Sequence, residues 1–349
     1  NTAVGYTALA ANTTASNNAA FGFNALVATN SGASNTAIGT ESLLSNVTGS
    51  ENTAVGRGAL ASNSSADANT AVGRSALLNN TTGYGNTAVG SLALDASTEA
   101  NNNTAVGRAA LTTSNGGAGN VAMGVSALEA LTTGSNNIAV GNAAGGAVTT
   151  GTHNTAFGDG AGDAITTGTE NTMIGTNSTA SAVGAAYQTV LGSGVVCVGN
   201  SNFTFGNGTN DSNIAFGATS ITAPSDIRLK EDIQNEEVGL DFINDLRPVT
   251  FLWKKEKDIP SDMKAYKEGS ETRTMNGKYN HGFIAQEVKE VIDNHNLKDG
   301  FEMWQEDEAD GRQRLGEGAL MSVMVKAVQE LSAQVDELKS QPKCKCNEE

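Results

Sequence analysis

Ser225 and Lys230 place a hydroxyl and an amine five residues apart, two groups that could act together as nucleophile and base. A serine hydroxyl is a weak nucleophile that needs a base to accept its proton. A lysine amine has a reference pKa of about 10.4 and acts as a base only when burial removes water from it. Serine–lysine pairs are a known variant of the catalytic triad, and contact across this spacing requires the segment Asp226–Leu229 to turn or bend. By itself, the segment is more typical of a helix start with Ser225 as the N-cap.

The pair stands at an abrupt change in composition. Residues 1–224 contain 3 Arg, no Lys and 10 acidic residues, whereas residues 225–349 contain 18 basic and 27 acidic residues. The net charge of −16 argues against a nucleic-acid interface built on clustered Lys and Arg and against binding to anionic membranes. No run of 18 apolar residues exists, so we expect no membrane insertion. Because Asn1 already lies inside a repeat, we expect the chain to be a piece of a longer protein.

Before this boundary the sequence repeats every 17 residues. Each unit has Asn, Thr, Ala, a large apolar residue and Gly in one register, and Ala and Leu follow the glycine by three and four residues, as in Asn52–Leu60. The repeated glycines are Gly5, Gly22, Gly39, Gly56, Gly73, Gly90, Gly107, Gly124, Gly141, Gly158, Gly175 and Gly192. A disordered Asn/Ser/Thr/Gly linker, which composition alone suggests, has no need of apolar residues in register.

A 17-residue unit is too short for a helix pair and fits one coil of a β-solenoid, with two short strands joined by polar turns. The glycine would supply a turn with φ > 0 or a close backbone approach, and the Asn would support side-chain ladders or turn hydrogen bonds between coils. Each coil buries only Ala, Val and Leu, so a second burial surface is needed, and threefold association would provide it. The pattern resembles the left-handed β-roll of trimeric autotransporter adhesin heads over residues 1–192, with a longer repeat than those heads usually show.

After Gly192 the glycine spacing shortens, which predicts a narrower β neck over residues 193–224. Strands are expected there at Val196–Gly199 and Phe203–Gly206. Cys197 occupies an apolar position, so we expect it to pack in the core rather than to react.

Beyond the boundary, residues 225–349 predict a small α+β domain. The predicted elements are helices at 236–246 and 283–294, a strand at 249–253, a polar loop at 261–278, and a hairpin of 301–305 and 312–315 around Asp310-Gly311. Apolar residues then alternate at intervals of three and four, which predicts a coiled coil at about 318–340. The alternative is one amphipathic helix lying on its own domain. The apolar series is Met321, Met324, Val328, Leu331, Val335 and Leu338.

Three motifs of this domain resemble the intramolecular chaperone at the ends of phage tail spikes, including endosialidases, and in a family of membrane-tethered transcription factors. Residues 225–230 carry Ser-Asp-x-Arg-x-Lys, residues 282–287 read Gly-Phe-Ile-Ala-Gln-Glu, and residues 324–331 are similar to the terminal helix of that family. The resemblance covers about 125 residues and implies a homotrimer that cleaves itself.

In that family pattern, Ser225 is the nucleophile, Lys230 is the general base, and the scissile bond joins Pro224 to Ser225. Candidates for supporting roles are Asp226, Arg228, Gln286 and Glu287. For the last two, solvated helix surface is an equal interpretation.

We expect no cofactor and no metal. His281 and His295 lack the accompanying Cys or carboxylate spacing of a metal site. Cys344 and Cys346 lie in a charged tail, where we expect a frayed end, with a metal or interchain link as the alternative.

The sequence therefore predicts part of a trimeric viral tail fibre or spike, assembled in the host cytoplasm and carried in the virion. The partner class that the resemblance implies is a host-surface receptor or glycan. The alternatives are a bacterial-type trimeric adhesin head, and a structural fibre with an inactive protease.

Overall fold

The repeat folds as a stack of short parallel strands in the computed structural model, which describes residues 1–263, 265–297, 301–306 and 311–341. Neighbouring strands pair one repeat apart, so that Thr53 lies opposite Thr70 and Ala54 lies opposite Ala71. The strands form one sheet in sequence order. They are β1 (Thr2–Val4), β2 (Ala19–Phe21), β3 (Thr36–Ile38), β4 (Thr53–Val55), β5 (Thr70–Val72), β6 (Thr87–Val89), β7 (Thr104–Val106), β8 (Val121–Met123), β9 (Ile138–Val140), β10 (Thr155–Phe157), β11 (Thr172–Ile174), β12 (Gln188–Leu191), β13 (Asn202–Gly206) and β14 (Asp211–Ala215).

The core of the stack is made of the recurring Ala and Leu residues. The central residue of a strand, such as Ala71, is fully buried, and so are Ala76 and Leu77 in the following turn. The predicted fold class, a mostly β solenoid followed by a small domain with a C-terminal helix, is confirmed.

Each coil contains one strand, whereas two were predicted. The second half of the coil winds through turns in which residues such as Leu60 and Leu77 have φ of 51° and 52°. Their amides still bond to the next coil, because the Leu60 N–H donates to the Ala76 carbonyl at 3.0 Å. Left-handed backbone costs an ordinary residue roughly 1–2 kcal/mol, and burial of the leucine side chain is worth about as much.

A buried asparagine precedes each strand from β2 to β11 and bonds to its neighbours. The Asn120 side chain accepts the Asn137 N–H at 2.9 Å and donates to the Gly134 carbonyl at 3.0 Å. These bonds satisfy backbone groups that would otherwise be buried without partners. The predicted Asn ladder is thus present inside the stack.

The last residue of each strand from β1 to β12 points outward, and together these residues form an apolar column along the sheet. Nine of its members are between 37% and 57% exposed in the single chain. They are Val4, Phe21, Ile38, Val72, Val89, Met123, Phe157, Ile174 and Leu191.

An antiparallel hairpin closes the end of the stack. Strand β13 pairs in parallel with β12 and antiparallel with β14. The predicted strand at Phe203–Gly206 is confirmed, but the one at Val196–Gly199 is reduced to a single bridge between Thr179 and Val196. Cys197 is buried, as its apolar position predicted.

The chain divides into two compact units, Asn1–Asp226 and the segment from Ile227 onward. The second unit contains α1 (Leu240–Asp245), β15 (Val249–Phe251), β16 (Asn280–Gly282), α2 (Ala285–Asn294), β17 (Trp304–Glu306), β18 (Gln313–Leu315) and α3 (Leu320–Ser340). Strands β15 and β16 pair antiparallel, as do β17 and β18. Asp310 of the predicted hairpin turn, and Cys344 and Cys346, lie outside the described residues.

The core of the second unit lies between its helices and includes Phe242, Val288, Met303 and Val323. The first helix starts at Leu240 rather than near Glu236; Glu236 and Glu237 are exposed, and packing on the core begins only at Val238. Its first amide, that of Leu240, donates to the Glu330 carboxylate of α3 at 2.8 Å.

Helix α3 has two apolar faces. Leu320, Val323 and Ala327 are buried against the second unit. The predicted heptad residues lie on the other side, where Met321 is 66% exposed and Leu331 is 50% exposed. Within the described ranges, no helix has the length and apolar character that crossing a bilayer requires.

Replacement of one of the glycines that recur every 17 residues tests how closely neighbouring coils are stacked. Gly107 has φ of 142°, and an added Cβ would lie 2.6 Å from the carbonyl carbon of Gly124 and closer still to its oxygen. We expect Gly107→Ala to lower the free energy of unfolding of the stack by about 3 kcal/mol or more. The matched control is Gly116→Ala, whose Cβ would lie 3.7 Å from Thr133 at an ordinary φ and should be within about 1 kcal/mol of wild type. Equal melting temperatures for the two variants would contradict this packing.

Candidate functional site

The candidate nucleophile lies at the end of the solenoid unit, and the candidate base lies at the start of the second unit. Ser225 and Lys230 are both exposed. Between them in sequence, Ile227–Leu229 forms one 3-10 turn, and the Lys230 N–H donates to the Ile227 carbonyl at 3.1 Å. The segment therefore turns, which is the condition for contact between the two side chains, and no α-helix starts at Ser225, since the first one begins at Leu240.

The exposure of Lys230 bears on its chemistry. A lysine becomes a base when it is desolvated, and the described single chain does not bury this side chain. The assignment of Ser225 and Lys230 as a catalytic pair therefore stays a prediction that requires burial from elsewhere. Asp226 precedes this turn, Arg228 lies within it, and both are exposed.

The residues before the predicted scissile bond are attached to the closing hairpin. The Thr222 N–H donates to the Asn213 carbonyl, and the Asn213 N–H donates to the Thr222 carbonyl, each at 2.7 Å. Sequence reasoning missed this bridge, because the two residues are outside the repeat and have no periodic signal.

Gln286 and Glu287 lie in the first turn of α2. Gln286 is exposed. The Glu287 carboxylate receives two hydrogen bonds from Arg247, of which the one from Nε measures 2.9 Å. These bonds, and to a smaller degree the positive charge, hold the pKa of Glu287 below its usual value. Glu287 thus joins α2 to the segment before β15, and Arg247 is a partner that its 40-residue separation concealed in the sequence.

The two histidines of this unit have separate surroundings. His295 Nε2 lies 2.8 Å from Asp245 Oδ2, and its ring meets Phe242 edge-on. His281 Nδ1 lies 3.4 Å from the Thr250 hydroxyl. Among the residues that the structure describes, no three His, Cys, Asp or Glu side chains come together as a metal-binding group.

The Arg247–Glu287 pair predicts a pH-dependent contribution to stability. Because the pKa of Glu287 is lowered from 4.5 in the folded state, the stabilisation is present above that value and is lost as the pH falls through the folded pKa. We expect Glu287→Gln to lower the melting temperature slightly at pH 7, where an exposed pair is worth little, and to have a smaller effect near pH 3. Arg247→Met should change the melting temperature in the same way. The control is Glu290→Gln, since Glu290 is an exposed residue of the same helix. An equal loss at both pH values would contradict the ion pair.

Comparison with known proteins gives one match, which begins at the candidate nucleophile. Searches of curated proteins and of solved structures returned no match. Residues 225–297, however, match the family model described as the chaperone of endosialidase, which implies an autocleaving serine-peptidase-like domain directly after the solenoid.

Proposed function

We propose that this chain is part of a trimeric viral tail fibre or spike whose C-terminal domain assembles the β-shaft and then releases itself by autoproteolysis. The main supporting observation is that the chaperone-of-endosialidase match starts at Ser225, about ten residues after the last strand of the solenoid ends at Ala215. Location in the virion and attachment to a host receptor or glycan follow as parts of the same proposal.

Threefold association is supported by apolar surface that a single chain leaves in water. The outward column of the solenoid carries one large apolar residue per coil, at the strand spacing of about 4.8 Å. In a parallel trimer, identical coils lie at equal heights, so each column would meet apolar residues along its whole length. The exposed heptad face of α3 would pack in the same parallel arrangement.

A dedicated assembly domain is useful because the shaft is repetitive. A slip of one coil between chains would cost little, since neighbouring coils present similar residues to each other. Pairing between separate chains is also slow, and exposed strand edges invite wrong partners. A charged domain with its own trimerisation helix would align the chains before the shaft closes.

The proposed reaction is a hydrolysis in two steps. Lys230 accepts the proton of the Ser225 hydroxyl, and the oxygen attacks the carbonyl carbon of Pro224. The bond from this carbon to the Ser225 nitrogen breaks, the nitrogen takes up the proton, and an ester joins Pro224 to the Ser225 side chain. Water then hydrolyses the ester, which leaves a Pro224 carboxylate and a free Ser225 amine. Burial of Lys230 on trimer formation would activate the base, so that cleavage follows correct assembly.

Light scattering of the uncleaved Ser225→Ala chain tests assembly. We expect three times the 35.6 kDa mass of one chain. Leu331→Asp should shift this trimer towards monomer, because burial of carboxylates in a coiled-coil seam costs on the order of several kcal/mol. Ala333→Asp, on the opposite side of the predicted seam, is the matched control. A monomer at micromolar concentration would contradict the proposal.

Intact mass tests the chemistry. The wild-type chain should yield a fragment that begins with Ser225 and contains 125 residues. Ser225→Ala and Lys230→Ala should remain full-length and still trimerise. Lys230→Arg keeps the charge, but guanidinium does not deprotonate in proteins, so the cleavage rate should fall by about 100-fold or more.

If Lys230→Arg cleaves at the wild-type rate, Lys230 is not the base. A wild-type trimer that stays intact would favour the structural fibre with an inactive protease.

A further inference from the structure

The acyl side of the predicted scissile bond is held by the last hairpin of the solenoid. Thr222 and Asn213 exchange both of their backbone hydrogen bonds, at 2.7 Å each. Thr222 therefore forms an isolated antiparallel bridge with Asn213 of β14, although it belongs to no strand itself. The Thr222 hydroxyl adds a third bond to the Asn213 carbonyl at 3.0 Å. This three-bond contact lies within a segment, residues 216–226, whose side chains are all exposed, Thr222 included.

Asn213 is in turn tied to the interior of the stack. It lies opposite Thr204 in the β13–β14 ladder, and the Thr204 hydroxyl donates to its side-chain oxygen at 3.2 Å. Thr204 is fully buried, and its hydroxyl lies 3.5 Å from the sulfur of the buried Cys197. The contact with Thr222 therefore depends on a closed hairpin.

Little freedom remains between Thr222 and the scissile carbonyl. Only Ala223 and Pro224 follow before Ser225. The residue before a proline is restricted to extended conformations, and the proline ring fixes its own φ near −65°. An anchored Thr222, an extended Ala223 and a locked Pro224 together limit the positions that the carbonyl can take.

We propose that the Asn213–Thr222 bridge is a positioning element for the autocleavage, which couples release of the C-terminal domain to closure of the shaft's last hairpin. The inference rests on the proposed cleavage between Pro224 and Ser225. Before the hairpin closes, the substrate segment is free and its carbonyl is rarely in place. After closure, the carbonyl is presented in one geometry, and well-oriented reactants gain large rate factors. The bridge acts on the substrate segment alone and leaves the base untouched.

The test measures the first-order rate of cleavage of the full chain after refolding, by denaturing gel and intact mass. Thr222→Pro removes the N–H that donates to Asn213, and we expect the rate to fall at least about 10-fold, since a misplacement of ~1 Å can cost ~10²-fold. The pH dependence of the remaining rate should keep its wild-type shape. In the Ser225→Ala background, Thr222→Pro should still trimerise and melt like its parent.

Two control variants separate the bridge from general stiffness of the segment. Ile221→Pro introduces the same ring one residue earlier, at an amide that donates no backbone hydrogen bond within the described chain. Thr222→Val keeps the backbone bridge and loses only the hydroxyl. Both should cleave within about 3-fold of the wild-type rate, because neither removes the paired amides.

The outcomes distinguish this inference from the proposed function. Cleavage of Thr222→Pro at the wild-type rate, or equal slowing by Ile221→Pro, would overturn the positioning role and leave the cleavage itself standing. A wild-type chain that does not cleave would overturn both. If Thr222→Pro fails to assemble, the cleavage rate of Thr222→Gly is the test, because glycine weakens the strand pairing without removing the N–H donor. An unchanged cleavage rate in Thr222→Gly would then overturn the inference.

Discussion

From β1 to β12, the solenoid depends on the contact of each coil with the next at a fixed register of 17 residues. Three features act at that distance together. Backbone amides of one coil bond to carbonyls of the next in the strands and in the turns, and buried asparagines bond between the same coils. The recurring glycines permit the two backbones to approach closely. An isolated coil cannot form these contacts, since each of them joins two neighbouring coils. The stack is therefore cooperative between neighbours, as expected for repeat proteins.

The solenoid has a thin core and leaves apolar side chains exposed on its outer face. Alanine fills most interior positions, so each coil buries little, while a large apolar residue on every strand faces outward. The same division appears in α3, where one face packs on its own unit and the heptad face stays exposed. Large exposed apolar surfaces in proteins are usually covered by a partner. In the proposed trimer, a second and third copy of the chain would cover these surfaces, because they carry the same residues at the same intervals.

The end of the shaft is the place where assembly and chemistry would meet. The parallel stack stops at an antiparallel hairpin, which covers an edge that could otherwise template further pairing. The segment that carries the Pro224–Ser225 bond leaves from this hairpin, and the match to the chaperone of endosialidase begins there. An exposed Lys230 in the single chain is consistent with a base that is inactive until neighbouring chains bury it. Glu287, paired with Arg247, has a structural contact that accounts for its presence without a role in the reaction.

The sequence by itself determined the features that repeat or that depend on neighbouring residues. The period, the buried Ala and Leu, the glycine column and helix α3 all followed from spacing, because each position has the same environment in every coil or turn. The motif of Ser225 and Lys230 was visible because its residues are close in the chain.

Only the tertiary structure decided the contacts between residues without a common period. The second half of each coil became turns rather than a strand, since inter-coil bonds and leucine burial outweighed the preference of residues such as Leu60 for negative φ. Glu330 meets the first amide of α1 across 90 residues, and Arg247 meets Glu287 across 40. The Asn213–Thr222 bridge arises from the way the last hairpin closes the stack. Such pairs leave no pattern in the sequence, because folding brings them together and their spacing along the chain is arbitrary.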